Sequence, residues 1–202
     1  MVQGAPVDPN ESRVLAALLR VDAPVTGRSV ARVTGLSQST TQRVLNRLRE
    51  SGLVVAEPAP PSWLYRANRD HLAMPALRSL LHLDEELRTR AAEHVAAWRL
   101  APASLVVYGS VARGEAVAGS DIDVLAVRAE RIEPDELTWQ HQLAGLADHL
   151  QRWTGRRGSV VEMSRSEAVQ GLADREPFLV EAERDGWLIA GESLSDLAGH
   201  RS

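Results

Sequence analysis

Asp121 and Asp123 in Ser120-Asp121-Ile122-Asp123-Val124 are the residues best placed to do chemistry. On a strand, residues two apart share a face, with Cα atoms roughly 6.5 Å apart. Both carboxylates then point one way, while Ile122 and Val124 enter a core. Adjacent carboxylates repel and raise each other's pKa. A divalent cation removes that penalty, and Mg²⁺ prefers a few carboxylates completed by phosphate oxygens and water. Shortly upstream, Val106-Val107-Tyr108-Gly109-Ser110-Val111-Ala112-Arg113-Gly114 reads as a buried strand entering a helix through a Gly-Ser turn. The first N–H groups of a helix lack internal partners and lie at the positive end of its dipole, which suits a triphosphate. Gly109 lets a phosphate approach the backbone. The Ser110 hydroxyl can donate to a phosphate oxygen, and Arg113, one turn on, faces phosphates or acceptor. A phosphate cradle followed by a carboxylate pair makes sense as one site for phosphoryl-type transfer, where metals bridge phosphates and stabilise entering and leaving oxygens.

The elements that must hold this site alternate strand and helix, the pattern of an α/β domain. Strands are expected at Ser104–Tyr108, Asp121–Val127 and Ser159–Met163. A long helix is expected over Glu133–Thr154, with Leu137, Leu143, Leu146 and Leu150 as its apolar stripe. Short helices near Ser166–Asp174 and Glu176–Asp185 lead to Trp187-Leu188-Ile189.

Gly109-Ser110 followed by Asp121-Ile122-Asp123-Val124 resembles the signature of the polymerase-beta-like nucleotidyltransferase superfamily, hG[GS] then D-h-[DE]-h. The fuller string, with Ala112, Arg113, Gly114 and Ser120, is most similar to the branch holding the minimal (MNT-type) and aminoglycoside nucleotidyltransferases. The resemblance covers roughly residues 84–191. It implies an α+β nucleotidyltransferase fold with a small mixed sheet. It also implies Mg²⁺-dependent transfer of a nucleoside monophosphate from an NTP, ATP being the expected one. Asp121 and Asp123 would hold metal, and Gly109, Ser110, Arg113 and Ser120 the nucleotide. The family usually supplies a third carboxylate from the next strand as general base. The candidate is Glu162, in Ser159-Val160-Val161-Glu162-Met163.

The front of the chain reads differently. Helices are expected over Asn10–Val21, Gly27–Val33 and Ser37–Glu50, then strands at Leu53–Glu57 and Trp63–Ala67 around Pro58-Ala59-Pro60-Pro61. Ser37 suits an N-cap and Gly52 a left-handed C-cap. Three helices and a two-stranded wing in residues 10–69 resemble the MarR/ArsR-like winged helix-turn-helix group. The resemblance implies double-stranded DNA binding, usually as a homodimer. Ser37, Gln38, Ser39, Thr41, Gln42 and Arg43 would face base edges and phosphates from the recognition helix, and Arg47 and the wing's Arg66 would reach phosphates. Protein docking or dimerisation is the competing use of such a module.

The expected organisation is a tail at 1–9, a winged helix-turn-helix at 10–69, a linker helix at 70–83 and a nucleotidyltransferase domain at 84–202. Net charge is −4, which predicts no strong global attraction to nucleic acid or acidic membranes. Residues 1–70 nonetheless hold nine arginines against six carboxylates, leaving 14 basic and 21 acidic residues in the rest. The absence of cysteine and of a secretory pattern at the start fits the cytoplasm. The six histidines show no metal spacing and read as surface or satisfied residues.

Three functions share these motifs. One is a nucleotidyltransferase under a DNA-binding domain, whose acceptor, by resemblance to MNT-type proteins, is a HEPN-domain toxin of a toxin–antitoxin pair. Another is a transcriptional regulator that only senses nucleotide. The third is an aminoglycoside-type enzyme acting on a small hydroxylated compound.

Overall fold

The computed structural model describes residues 8–114, 116 and 119–199. The chain divides into two compact units, broken between His82 and Leu83.

The first unit opens with α1 (Pro9–Leu19), a two-residue strand β1 (Val25–Thr26), α2 (Gly27–Thr34) and α3 (Gln38–Glu50). The wing follows as β2 (Val54–Ala59) and β3 (Ser62–Ala67), and α4 (Met74–Leu81) closes the unit. Ser37 caps α3, its Oγ accepting from Thr40 N at 3.2 Å. Gly52, at φ +75°, turns the chain from α3 into β2. The sheet runs β1-β3-β2, both pairings antiparallel. Val14, Leu15, Leu18, Val44, Leu45, Leu48 and Tyr65 form the core. Strand β1 was not expected. Helix α4 begins later than Asp70 because Asn68 ends the wing in a turn: its Nδ2 donates to Gly52 O at 2.8 Å, and its Oδ1 accepts from Asp70 N.

The second unit contains α5 (Leu83–Ala96), β4 (Ser104–Tyr108), the four-residue α6 (Gly109–Ala112), β5 (Ile122–Arg128) and α7 (Leu137–Thr154). It continues with β6 (Gly158–Ser164), α8 (Arg165–Ala173), α9 (Pro177–Asp185), β7 (Trp187–Gly191) and α10 (Leu194–Gly199). Helix α7 starts at Leu137, later than expected, because the residue before Pro134 disfavours helical backbone. Glu136 caps it instead, accepting from Thr138 N at 3.2 Å. Helix α10 is an addition to the expected elements.

The sheet order is β6-β5-β4-β7. β4 runs antiparallel to β5 and to β7, while β5 and β6 are parallel. Alternation along the strands sorts side chains into two cores. Leu105, Val107, Ile122, Val124 and Ala126 pack with α5 and α7. Val106, Leu125 and Val127 pack with α8, α9 and α10. Asp121 and Asp123 share the parity of Leu125, so they belong to the α8–α10 side.

Leu125 is fully buried in the central strand. Leu125→Ala is expected to cost about 2–5 kcal/mol of stability, read from chemical denaturation of the full chain.

Candidate nucleotide site and recognition helix

The candidate nucleotide site lies where β4 ends and β5 begins. The antiparallel register sets Tyr108 beside Asp123. The chain then turns sharply at Gly109, φ +75°. A Cβ at Gly109 would meet Asp123 Oδ2 at 2.7 Å, closer than real Cβ contacts come. The glycine thus does more than admit a phosphate: it lets the turn sit directly against the carboxylate. Ser110 is the second residue of α6, half-buried. With only four residues, α6 offers free N–H groups rather than a large dipole. Arg113 N donates to Gly109 O at 3.2 Å, and Trp187 Nε1 donates to Ala112 O at 3.0 Å, so both backbone ends of the turn are tied.

Burial, and secondarily the charge of Asp121, pushes the Asp123 carboxyl above its ordinary value. Burial first, then Asp123, raises Tyr108 as well. Ser120 precedes the pair, and its carbonyl accepts from the buried Arg156 guanidinium at 3.0 Å. Among the described residues no group of three or more metal-ligating side chains occurs. A pair of neighbouring carboxylates, one of them disfavoured as an anion until a cation neutralises it, fits Mg²⁺, which fills its remaining positions from phosphate and water.

Arg113 lies at the end of α6 and pairs with Glu181 of α9, a carboxylate that sequence spacing did not single out. No local pattern marks it, because α9 reaches α6 only through tertiary packing.

Glu162 requires a correction. In the parallel register Asp123 lies beside Ser159 and Ala126 beside Glu162. Paired residues in a sheet share a face, and Glu162 alternates with Val160, which packs in the α5/α7 core. Glu162 therefore lies on the opposite face from Asp123 and three residues further along. There it accepts from Arg128 Nε at 2.6 Å, while Arg128 NH1 donates to Ile132 O at 2.8 Å. Its carboxylate is a structural anchor for Arg128. On the face of Asp123, β6 carries Ser159, Val161 and Met163.

In the first unit, α3 displays Gln38, Ser39, Gln42 and Arg43 to solvent. Gln42 Nε2 is held by Tyr65 OH at 3.0 Å and Asn46 Oδ1 at 3.2 Å, and Arg43 NH2 donates to Thr40 Oγ1 at 3.3 Å. Tyr65 and Asn46 thus orient the exposed face and were missed. Ser37 is exposed, but its hydroxyl is committed to capping. Thr41 is 1% exposed and donates to Ser37 O at 3.0 Å, so it faces the core and not a groove. Arg47 is paired with Asp8 at 3.4 Å and Glu11 at 3.1 Å, and Arg66 with Glu57 at 3.5 Å. Both remain exposed, and such surface pairs hold weakly.

Two measurements check this geometry. Glu162→Ala is expected to destabilise the protein by about 1–3 kcal/mol by leaving Arg128 without its carboxylate, with NTP binding unchanged. Weakened NTP binding would return Glu162 to the site. Asp123, whose folded pKa is raised, contributes stability below the unfolded carboxyl pKa and loses it as pH rises through the folded value. Asp123→Asn should therefore melt above wild type at neutral pH, the difference vanishing below the ordinary carboxylate range. A difference independent of pH would contradict the raised pKa.

The comparisons with known proteins fall on the same two segments. Residues 5–62 match the MarR family and residues 85–151 the nucleotidyltransferase domain. No curated protein matches the chain. Among solved structures, a MarR family transcriptional regulator from Silicibacter pomeroyi is 22% identical, over 45% of this chain and 63% of that one, with a TM-score of 0.36. A toxin–antitoxin with AMP-PNP is 14% identical, over 55% of this chain and 81% of that one, TM-score 0.37. An archaeal chromatin protein is 14% identical, over 86% and 71% of the two chains, TM-score 0.32. The chain thus carries an N-terminal MarR-family segment fused to a nucleotidyltransferase domain of mixed α/β fold.

Proposed function

We propose that the second unit transfers a nucleoside monophosphate from an NTP to an acceptor with Mg²⁺, and that the first unit places this activity on double-stranded DNA. The observation that carries the reading is the contact between Gly109 and Asp123, which sets phosphate turn and carboxylate pair against each other. Gly109 and Ser110 receive the phosphates through backbone N–H and hydroxyl donors. Asp121 and Asp123 would hold Mg²⁺, which would supply charge neutralisation for the phosphates when bound. The acceptor hydroxyl attacks the α-phosphorus, its proton passes to solvent water, and the α–β phosphoanhydride bond breaks to release pyrophosphate. ATP is the expected donor, and a partner protein such as a HEPN-type toxin the expected acceptor. The exposed face of Gln38, Ser39, Gln42 and Arg43 is the DNA-reading surface, presented by a homodimer.

One observation favours a second reading. The β6 positions nearest Asp123 on its own face are Ser159 and Val161, neither of which serves as a general base. A nucleotide-sensing regulator, with DNA affinity set by bound NTP and little or no pyrophosphate release, needs none.

Incubation with each of the four α-labelled NTPs and Mg²⁺, alone and with the product of the neighbouring gene, separates the two. The transferase reading expects label on an acceptor, lost in Asp121→Asn/Asp123→Asn. NTP binding that shifts operator affinity without label transfer would overturn it in favour of sensing.

A further inference from the structure

We propose that Glu181 is the exchangeable counter-ion of Arg113, holding the guanidinium at the end of α6 and yielding it to the triphosphate of a bound nucleotide. The inference rests on the nucleotide-site reading of Gly109, Ser110, Asp121 and Asp123, and adds how that site recognises phosphate charge.

Arg113 closes the single turn whose first residue touches Asp123. Four residues of helix advance roughly 6 Å, within the span of an arginine side chain, so the guanidinium can reach phosphates seated on the turn. It pairs with Glu181, while Asp185, one turn further along α9, is held below its usual range by Arg184 first and by the field of Arg113 as well. Arg113 therefore sits against an acidic helix surface. A triphosphate offers several negative charges and planar oxygen pairs that suit the guanidinium fork, which a single carboxylate does not outmatch.

Two features make the exchange feasible. First, the pair is accessible: the side chains are 30% and 31% exposed, against 10% and 25% for Arg128 and Glu162. Partly exposed pairs of this kind hold weakly. Secondly, the backbone of the turn is secured independently of the guanidinium. Arg113 N bonds Gly109 O, and Trp187, under the Arg88 guanidinium 4.1 Å from its ring, bonds Ala112 O. The side chain can swing from carboxylate to phosphate while α6 stays wound. Glu181 is then a positioning residue that competes with the ligand and sets how tightly the empty site holds its cation.

Calorimetric titration of the full chain with Mg²⁺ and each NTP, and with AMP, tests this. Glu181→Gln keeps the shape and removes the charge, and is expected to tighten NTP binding about two- to fivefold, with AMP binding moved less. Glu181→Asp keeps the charge and should stay near wild type. Arg113→Ala should weaken NTP binding, and adding Glu181→Gln to it should change nothing further. An unchanged or weakened NTP affinity in Glu181→Gln, or an effect that persists without Arg113, overturns the proposal while leaving the nucleotide site standing. Failure of the wild type to bind any NTP overturns the site reading and this inference together.

Discussion

The site end of the second unit is shaped by one steric constraint: at the turn after β4 a Cβ would press on the Asp123 carboxylate oxygen. Gly109 meets it by lacking a Cβ and by adopting a positive φ. The antiparallel register that puts Tyr108 beside Asp123 brings the two elements that close. The Gly109–Ser110 turn and the start of β5 are thereby held beside one another by the hydrogen-bonded sheet. Burial at this closed end of the sheet, and secondarily the charge of Asp121, raise the pKa of Asp123 and so weaken it as an acid.

Parity within the sheet then decides which charged residues take part. Asp123 and Glu162 lie on adjacent strands and look equivalent along the chain, yet they face opposite cores. One meets the α8–α10 side, where the turn opens; the other meets the α5–α7 side, where Arg128 holds it. A buried strand spends one face on each core, so a carboxylate shifted by one position changes from site residue to structural anchor.

This explains what was legible in the sequence. The Gly-Ser turn and the Asp-x-Asp strand are local patterns whose spacing alone sets their geometry, and the segments around them read as strand and helix for the same reason. The role of Glu162 depended on the register between β5 and β6, which is set by packing across an intervening helix. Thr41 looked like a groove contact because it is polar. Its hydroxyl is satisfied by the Ser37 carbonyl within the same turn, which permits burial. Arg47 and Arg66 were legible as cations, but not as partners of Glu11 and Glu57, which come from other elements. Glu181 left no local trace.

The tie from Trp187 to Ala112 has a consequence for how the domain is dissected. A fragment ending after α7 would keep Gly109, Ser110, Asp121 and Asp123. It would lose β7, which borders β4, together with the indole that anchors the end of the Gly109–Ala112 turn. It would also lose β6, leaving β5 as an unprotected edge. The motif is contiguous in sequence, but the smallest piece of chain able to present it in working geometry extends past it to the last strand.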